Sequence, residues 1–427
     1  MNTIATHSNA ADVIVVGGGI IGVTSAYELA SRGYRTALVE AREGVALETS
    51  HANGALLTPS MCAPWNAPGI CRSLAASLFS PHATMKLRLS ALPSLAGWGV
   101  RFLRNSSRTR HAAATRASFV LAKYSVERTR ELRERLGLCY DVSTRGTIKV
   151  FRDPSALEES FRLASMLEPL GLRFELLGCH ATVHAEPALA EIADQIAGSL
   201  RFPEDESGDT HKFCEGLVAS FERRGGVVNR GTRVLALLIE RGIVTGVRLK
   251  DRVMSADRVV VAAGNAAADL AGRVGVRLPI RPVKGYTVTF DSVTGEMPTV
   301  PVIDDGLHAA VVPLGTRLRV AGTAEFAGPD LHVQTEGVQN LLNLLQAIYP
   351  RIAARLDPAS GRRWAGLRPM SADGLPFIGA TGIPGLYVNS GHGHLGWTQA
   401  VGSAHVLADA MMDRSTDIDS SPYRAAR

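Results

Sequence analysis

Four apolar residues in a row at positions 13–16, VIVV, give way to GGGIIG and then to a helical period over 23–32. A short apolar run bounded by glycines predicts a strand buried on both faces, as in a parallel sheet. Gly33 closes the helix, and residues 36–39 predict a second strand ending at Glu40. Residues 41–70 follow neither period; Pro59, Pro64, Pro68 and scattered Ser, Asn and Gly predict a long irregular segment. Apolar positions return at three- and four-residue spacing over 72–135, predicting mostly helix with breaks at Pro81 and Pro93. Alternation over 140–151 predicts a strand pair turning at Arg145-Gly146, and 154–169 predicts a helix. Glu186-Pro187-Ala188-Leu189 leads into a loop.

Pro203 to 209 reads as a turn, and Thr210 as the N-cap of a helix over 212–223 that Gly225-Gly226 ends. Strands are predicted at 227–228, 232–239, 243–249 and 253–261, the last running into Ala262-Ala263-Gly264 and a helix start at Asn265. A strand over 281–290 and three strand-like pieces within 301–324 follow, then a helix over 341–349 closed by Pro350. The chain ends its pattern with a strand at 385–388, a glycine-rich turn at 391–396 and a helix over 397–411. The fold expected is α/β: a Rossmann-type dinucleotide domain, interleaved with an α+β domain on a mainly antiparallel sheet.

The chemistry begins at the first turn. Gly17, Gly19 and Gly22 form a G-x-G-x-x-G fingerprint in its strand–turn–helix setting. Gly17 permits the turn, Gly19 admits a pyrophosphate to the backbone beside Ile20 and Ile21, and Gly22 lets helix and strand pack. The helix N-terminus offers N–H groups and partial positive charge to phosphates. Glu40, 18 residues past Gly22, is placed to accept from a ribose 2′-OH and disfavours a 2′-phosphate.

Composition narrows the classes. The 427 residues are 46% hydrophobic and 20% charged, an ordinary globular balance with room for two cores. No apolar run approaches the length that spans a bilayer. Residues 1–11 have neither a basic nor an apolar signal region and read as a disordered lead-in. Five scattered cysteines with no C-x-x-C argue against disulfides and a cysteine metal site, and for a reducing cytoplasm. No metal site is expected. Net charge of +6 conceals an interval, Glu48 to Glu127, with no acid at all. The arginines and lysines of 72–123, interleaved with Trp98, Phe79, Phe102 and leucines, suit an anionic membrane surface. A solvated arginine-rich face above a core-facing stripe fits the same residues, and no nucleic-acid fold signature accompanies them.

The segment ETSHANGALLTPSMCAPWNAPG, from Glu48, resembles bacterial FAD-dependent D-amino-acid dehydrogenases of the D-amino-acid oxidase and glycine oxidase superfamily. EPAL at 186–189, P-x-K-G-Y at 282–286, WAGLRPM at 364–370, Asp373-Gly374 and GHGHLGW at 391–397 carry the same resemblance, which covers about residues 12–411. It implies FAD, held by Ala41, Thr49, Ser50, His51, Asn53 and Gly54, by Val234, Ala263 and Gly264, and by Gly391, Gly393, Leu395, Gly396 and Trp397. It implies a cofactor domain from 12–70, 195–275 and 360–415, a substrate domain from 71–194 and 276–359, and a tail at 416–427.

The reaction implied is oxidation of a D-amino acid or cyclic imino acid at Cα, with hydride passing to flavin and water releasing a 2-oxo acid and ammonia. Arg368 matches the carboxylate-binding arginine. Tyr286 is expected as pocket wall or as a hydroxyl to that carboxylate, and Lys284 either beside it or, just as easily, solvated. His394 stands where relatives usually carry Thr or Ser, and reads either as a cation near the flavin or as a packed ring. His51-Ala52-Asn53-Gly54 resembles the H-A-A-G of dimethylglycine dehydrogenases, which raises covalent flavin through His51. Leu307-His308-Ala309-Ala310 replaces a strand in which relatives place a tyrosine, suggesting a roomier pocket. Electrons are expected to pass to a quinone or other acceptor, from a cytoplasmic protein peripheral to the inner membrane and part of a homo- or hetero-oligomer. A soluble oxidase using oxygen and a non-catalytic flavin subunit are the alternatives.

Overall fold

The structure, a computed structural model, describes residues 11–77 and 85–427. The lead-in and the break expected at Pro81 lie outside the described residues, the former but for Ala11.

The first sheet grows from the predicted apolar run. Strand Ala11–Val16 lies between Thr36–Val39 and Val253–Val261, parallel to both. Val227–Asn229 extends it beyond Thr36–Val39, and Leu386–Ser390 runs parallel to Val253–Val261. The antiparallel pair Ala236–Glu240 and Ile243–Arg248 and the strand Phe377–Ala380 complete the sheet. Val13, Ile14 and Val15 are fully buried because helices cover this sheet; Ile20–Ser31 lies against Thr210–Arg223 and Ala400–Met411. The 29-residue helix Arg108–Leu136 crosses Ala400–Met411 at Gly402, whose absent Cβ would fall 2.7 Å from that of Ser125.

The second sheet is mainly antiparallel. Its order is Arg362–Ser371, Ile280–Phe290, Arg317–Phe326, Ala309–Leu314, Val302–Asp304, Thr147–Phe151, Gly198–Phe202 and Glu175–Leu177. Gly198–Phe202 and Arg362–Ser371 therefore join this sheet, although both fall in stretches expected for the cofactor domain. Arg362–Ser371 does so through a ten-residue register with Ile280–Phe290.

Local competition explains the other departures. Residues 140–151 form no hairpin, because Thr147–Phe151 pairs instead with Gly198–Phe202 and Val302–Asp304. Met85–Leu87, inside the stretch expected as helix, is a strand added parallel to Arg317–Phe326. Pro93 opens the helix Leu92–Arg104 rather than breaking one, since its missing N–H is free to be lost at the first turn. Pro350 likewise opens Pro350–Arg355, after a helix Thr335–Ile348 that begins earlier than its apolar period suggests. Asp209, not Thr210, caps Thr210–Arg223, accepting from the N–H groups of His211 and Lys212. Lys284 is buried, not solvated; its ammonium donates to Asp330 at 2.6 Å and to the His332 carbonyl at 3.2 Å. All five cysteines are free.

Candidate active site

A cavity of about 1450 Å³ is shared by the two sheets. At one end its wall is the glycine turn. Gly17 adopts φ +107°, and a Cβ there would lie 2.7 Å from the Ala262 carbonyl. A Cβ on Gly22 would sit 1.7 Å from the Gly17 carbonyl, whereas nothing approaches that of Gly19 closer than 3.6 Å. The turn is thus closed on its protein side and open toward the cavity. The hydroxyl of Ser50 accepts from the Ile20 N–H at 3.1 Å at the start of the helix. Glu40 accepts from the N–H groups of Gly18 at 2.5 Å and Arg42 at 2.7 Å, and burial raises its pKa.

Ile20, Ile21, Glu40, Ala41, Thr49, Ser50, Asn53 and Gly54 face the same cavity. So do Val234, Ala263, Gly264, Gly393, Leu395, Gly396 and Trp397. Gly22 and Gly391 stand behind the wall, where packing and a φ of +88° respectively require glycine. His51 does not line the cavity. Its ring makes an edge contact at 4.9 Å with His211, which also lies outside the cavity lining, and this placement lends no support to flavin attached through His51. The helix after the second glycine turn begins at Ala400 rather than 397, preceded by a 3₁₀ turn Gly393–Leu395.

The other end is built around Arg368. Its guanidinium donates to the Thr323 carbonyl at 3.1 Å and lies 5.2 Å from the Trp65 ring. Thr323 holds φ +65° where the pairing of Ile280–Phe290 with Arg317–Phe326 is interrupted, a bulge that aims this carbonyl. No carboxylate pairs with Arg368 among the described residues, and burial lowers its pKa to about 10. Gly285 makes room for it, since a Cβ there would fall 2.2 Å from the guanidinium.

Tyr286 borders the cavity, but its ring packs in the core against the helix Thr335–Ile348 and its hydroxyl donates to Glu325 at 2.7 Å. The hydroxyl expected for a substrate carboxylate is thus spent on Glu325. Glu325 is itself bonded by Arg88 and lies 3.6 Å from the Lys284 ammonium. His394 stacks on Trp65 at 5.0 Å, with its Nε2 3.0 Å from the Met61 carbonyl. A carbonyl only accepts, so Nε2 carries the proton; burial lowers the pKa to about 4. Burial and the stack on Trp65 favour the packed ring over the cationic reading. His308, Ala309 and Ala310 also line the cavity, with His308 in the turn before the strand.

Three groups with unpartnered polar atoms complete the wall, of which Trp397 is already legible in the sequence. His392 is 4% exposed with neither ring nitrogen bonded, and the Trp397 Nε1 and Asn265 Oδ1 atoms are equally without partners. A buried polar atom without a partner costs about 1–3 kcal/mol, so this wall is shaped for a polar ligand. FAD fits it: a phosphate-binding turn, an acid for the ribose and free polar atoms at the far end. Trp65 was visible in the APW motif, but its stacking partner 329 residues away was not.

Comparison with known proteins agrees with this geometry. The family model described as FAD dependent oxidoreductase matches residues 12–410. A D-amino acid dehydrogenase of Sinorhizobium medicae is 38% identical over 416 residues, covering 97% of this chain and 99% of that protein. One from Cereibacter sphaeroides is 39% identical, covering 96% and 93%. Among solved structures, L-proline dehydrogenase from P. horikoshii superposes with a TM-score of 0.78 at 18% identity, covering 98% of each chain. Glycine oxidase from Geobacillus kaustophilus gives 0.74 at 24%, covering 98% and 99%.

Proposed function

The chain belongs to the FAD dependent oxidoreductase family, and on that premise we propose that it oxidises D-amino acids to 2-oxo acids and ammonia. The observation that carries this reading is Arg368: a desolvated cation on the cavity wall with no acidic partner among the described residues. A buried charge without a counter-ion is costly, and a substrate carboxylate satisfies it through the planar fork. Trp65 walls the space beside that fork, and His394, whose pKa burial lowers, stacks on it. FAD, when bound, accepts the hydride from Cα; the protein orients the substrate and excludes water. Water then hydrolyses the released imino acid.

We further propose a quinone or comparable acceptor and a peripheral position on the cytoplasmic face of the inner membrane. No helix among the described residues is long and apolar enough to cross a membrane. Helix Leu92–Arg104 buries Leu95, Trp98 and Phe102, so these aromatics are not a membrane face. It exposes Leu92, Val100 and Leu103 beside Arg101 and Arg104 instead, and these support the contact. The deciding experiment is anaerobic flavin bleaching by a panel of D- and L-amino acids, proline and sarcosine. Bleaching by D-amino acids, with slow reoxidation in air and fast reoxidation by a quinone, is the expected result. Bleaching only by L or N-methyl substrates would overturn it.

A further inference from the structure

The segment that carries Trp65 also carries a buried acid's partner. Ser60 precedes Met61, whose carbonyl holds His394, and lines the large cavity. Its hydroxyl donates to Asp205 Oδ2 at 2.5 Å, and Thr147 Oγ1 donates to the same oxygen at 2.7 Å. The Ser60 N–H reaches Asp205 Oδ1 at 3.4 Å. Asp205 is 2% exposed, yet it lines a second, separate pocket of about 20 Å³ on its far side. That volume holds one water. Lys123, Glu127, Arg130, Arg173 and Glu204 form its rim, with side chains between 33% and 78% exposed, so it communicates with solvent. Ser60 and Asp205 thus span the wall between the reaction cavity and the surface.

We propose that Ser60 and Asp205 are a proton exit for the cavity, a role that rests on the amino-acid oxidation proposed above. Each turnover removes a hydride from Cα and one proton from the substrate ammonium, leaving an iminium of the same charge. The hydride is taken by FAD. The N–H proton passes through cavity water to Ser60 Oγ while the hydroxyl's own proton moves to the Asp205 carboxylate. The serine is restored, and Asp205 gives its proton to the water on its far side.

The surroundings suit a group that gains and loses a proton near neutrality. Burial raises Asp205 to about 7, opposed by the Ser60 and Thr147 hydrogen bonds and the charge of Arg130. Arg130 is itself held by Glu206 and the Glu204 carbonyl, so it does not form a closed ion pair with Asp205. The neighbouring Cys62 thiol is pushed up by burial and stays protonated.

The test is stopped-flow anaerobic flavin reduction by saturating D-alanine between pH 5.5 and 9, in H₂O and D₂O, for wild type and D205N. Asparagine keeps the acceptor for Ser60 and Thr147, so fold and flavin content are checked by unfolding temperature and spectrum. The expected result is a wild-type rate that rises through one ionisation and a D205N rate at least tenfold lower at pH 8. The variant should also be flat with pH and show a larger solvent isotope effect. S60A, which leaves Asp205 bonded to Thr147, should show the same loss and carries the test if D205N does not fold. An unchanged pH profile and rate in either folded variant would reduce Asp205 to a peg between two segments and overturn the relay. Absence of bleaching in wild type would instead strike the oxidation reading.

Discussion

Replacing Arg368 by alanine should leave the cavity and its flavin in place but remove the fork for the carboxylate. Charge-assisted hydrogen bonds contribute about 1.5–3 kcal/mol, so kcat/KM should fall roughly 10- to 150-fold, mostly through KM. Steady-state kinetics beside an unchanged flavin spectrum would check this; an unaltered KM would sink it. His394 offers a pH signature. Its folded pKa, about 4, lies below the ordinary 6.5, so protonation favours the unfolded chain. Its contribution is complete above pH 6.5 and is lost as pH falls toward 4. Relative to H394Q, wild type should therefore lose roughly 1–2 kcal/mol between pH 7 and 5, a figure reduced for its partial exposure to the cavity. Thermal unfolding of both proteins across that range reads it, and parallel curves would refute a neutral buried ring. At this scale the sequence named Arg368 through its GLRP setting. It could not reveal that Tyr286 spends its hydroxyl on Glu325, because that bond joins strands paired across a bulge.

Elements were legible where glycine or an apolar run left one solution. The strand Ala11–Val16, the helix Ile20–Ser31 and the strand Val253–Val261 stand close to their predicted bounds because sterics and burial agree there. Gly22 measures how tight that agreement is. With its Cβ position 1.7 Å from the Gly17 carbonyl, G22A forces helix and turn apart. Overpacking of this kind costs about 1–3 kcal/mol, and the displaced turn should release FAD. The expected outcome is a lower unfolding temperature and purification largely without flavin; a yellow, fully stable G22A would contradict the packing argument. Where partners are distant in sequence, local pattern failed. Residues 140–151 look like a hairpin, but Thr147–Phe151 has better partners in two remote strands. Proline proved ambiguous for the same reason: Pro93 and Pro350 read as stops, yet each opens a helix.

For the whole molecule, charge is the feature that sequence shows most directly and structure redistributes. The acid-free interval reads as basic and aromatic, but folding turns Trp98 and Phe102 inward against Phe326 and leaves Leu92, Val100 and Leu103 outside with Arg101 and Arg104. Arg108 and Arg110 continue the exposed basic face onto the next helix. Attraction of one such side chain to an anionic surface is worth about 1 kcal/mol and fades within a Debye length. Reversing three of them in R101E/R104E/R108E should thus weaken binding by more than about 3 kcal/mol, roughly 150-fold, while the flavin and its bleaching by D-amino acids stay intact. Co-sedimentation with vesicles containing phosphatidylserine provides the measurement. Wild type should bind at low salt, release as salt rises and ignore neutral vesicles. Failure of wild type to bind anionic vesicles at low salt would remove the membrane from this proposal and leave these arginines as a solvated face over the stripe formed by Leu95, Trp98 and Phe102.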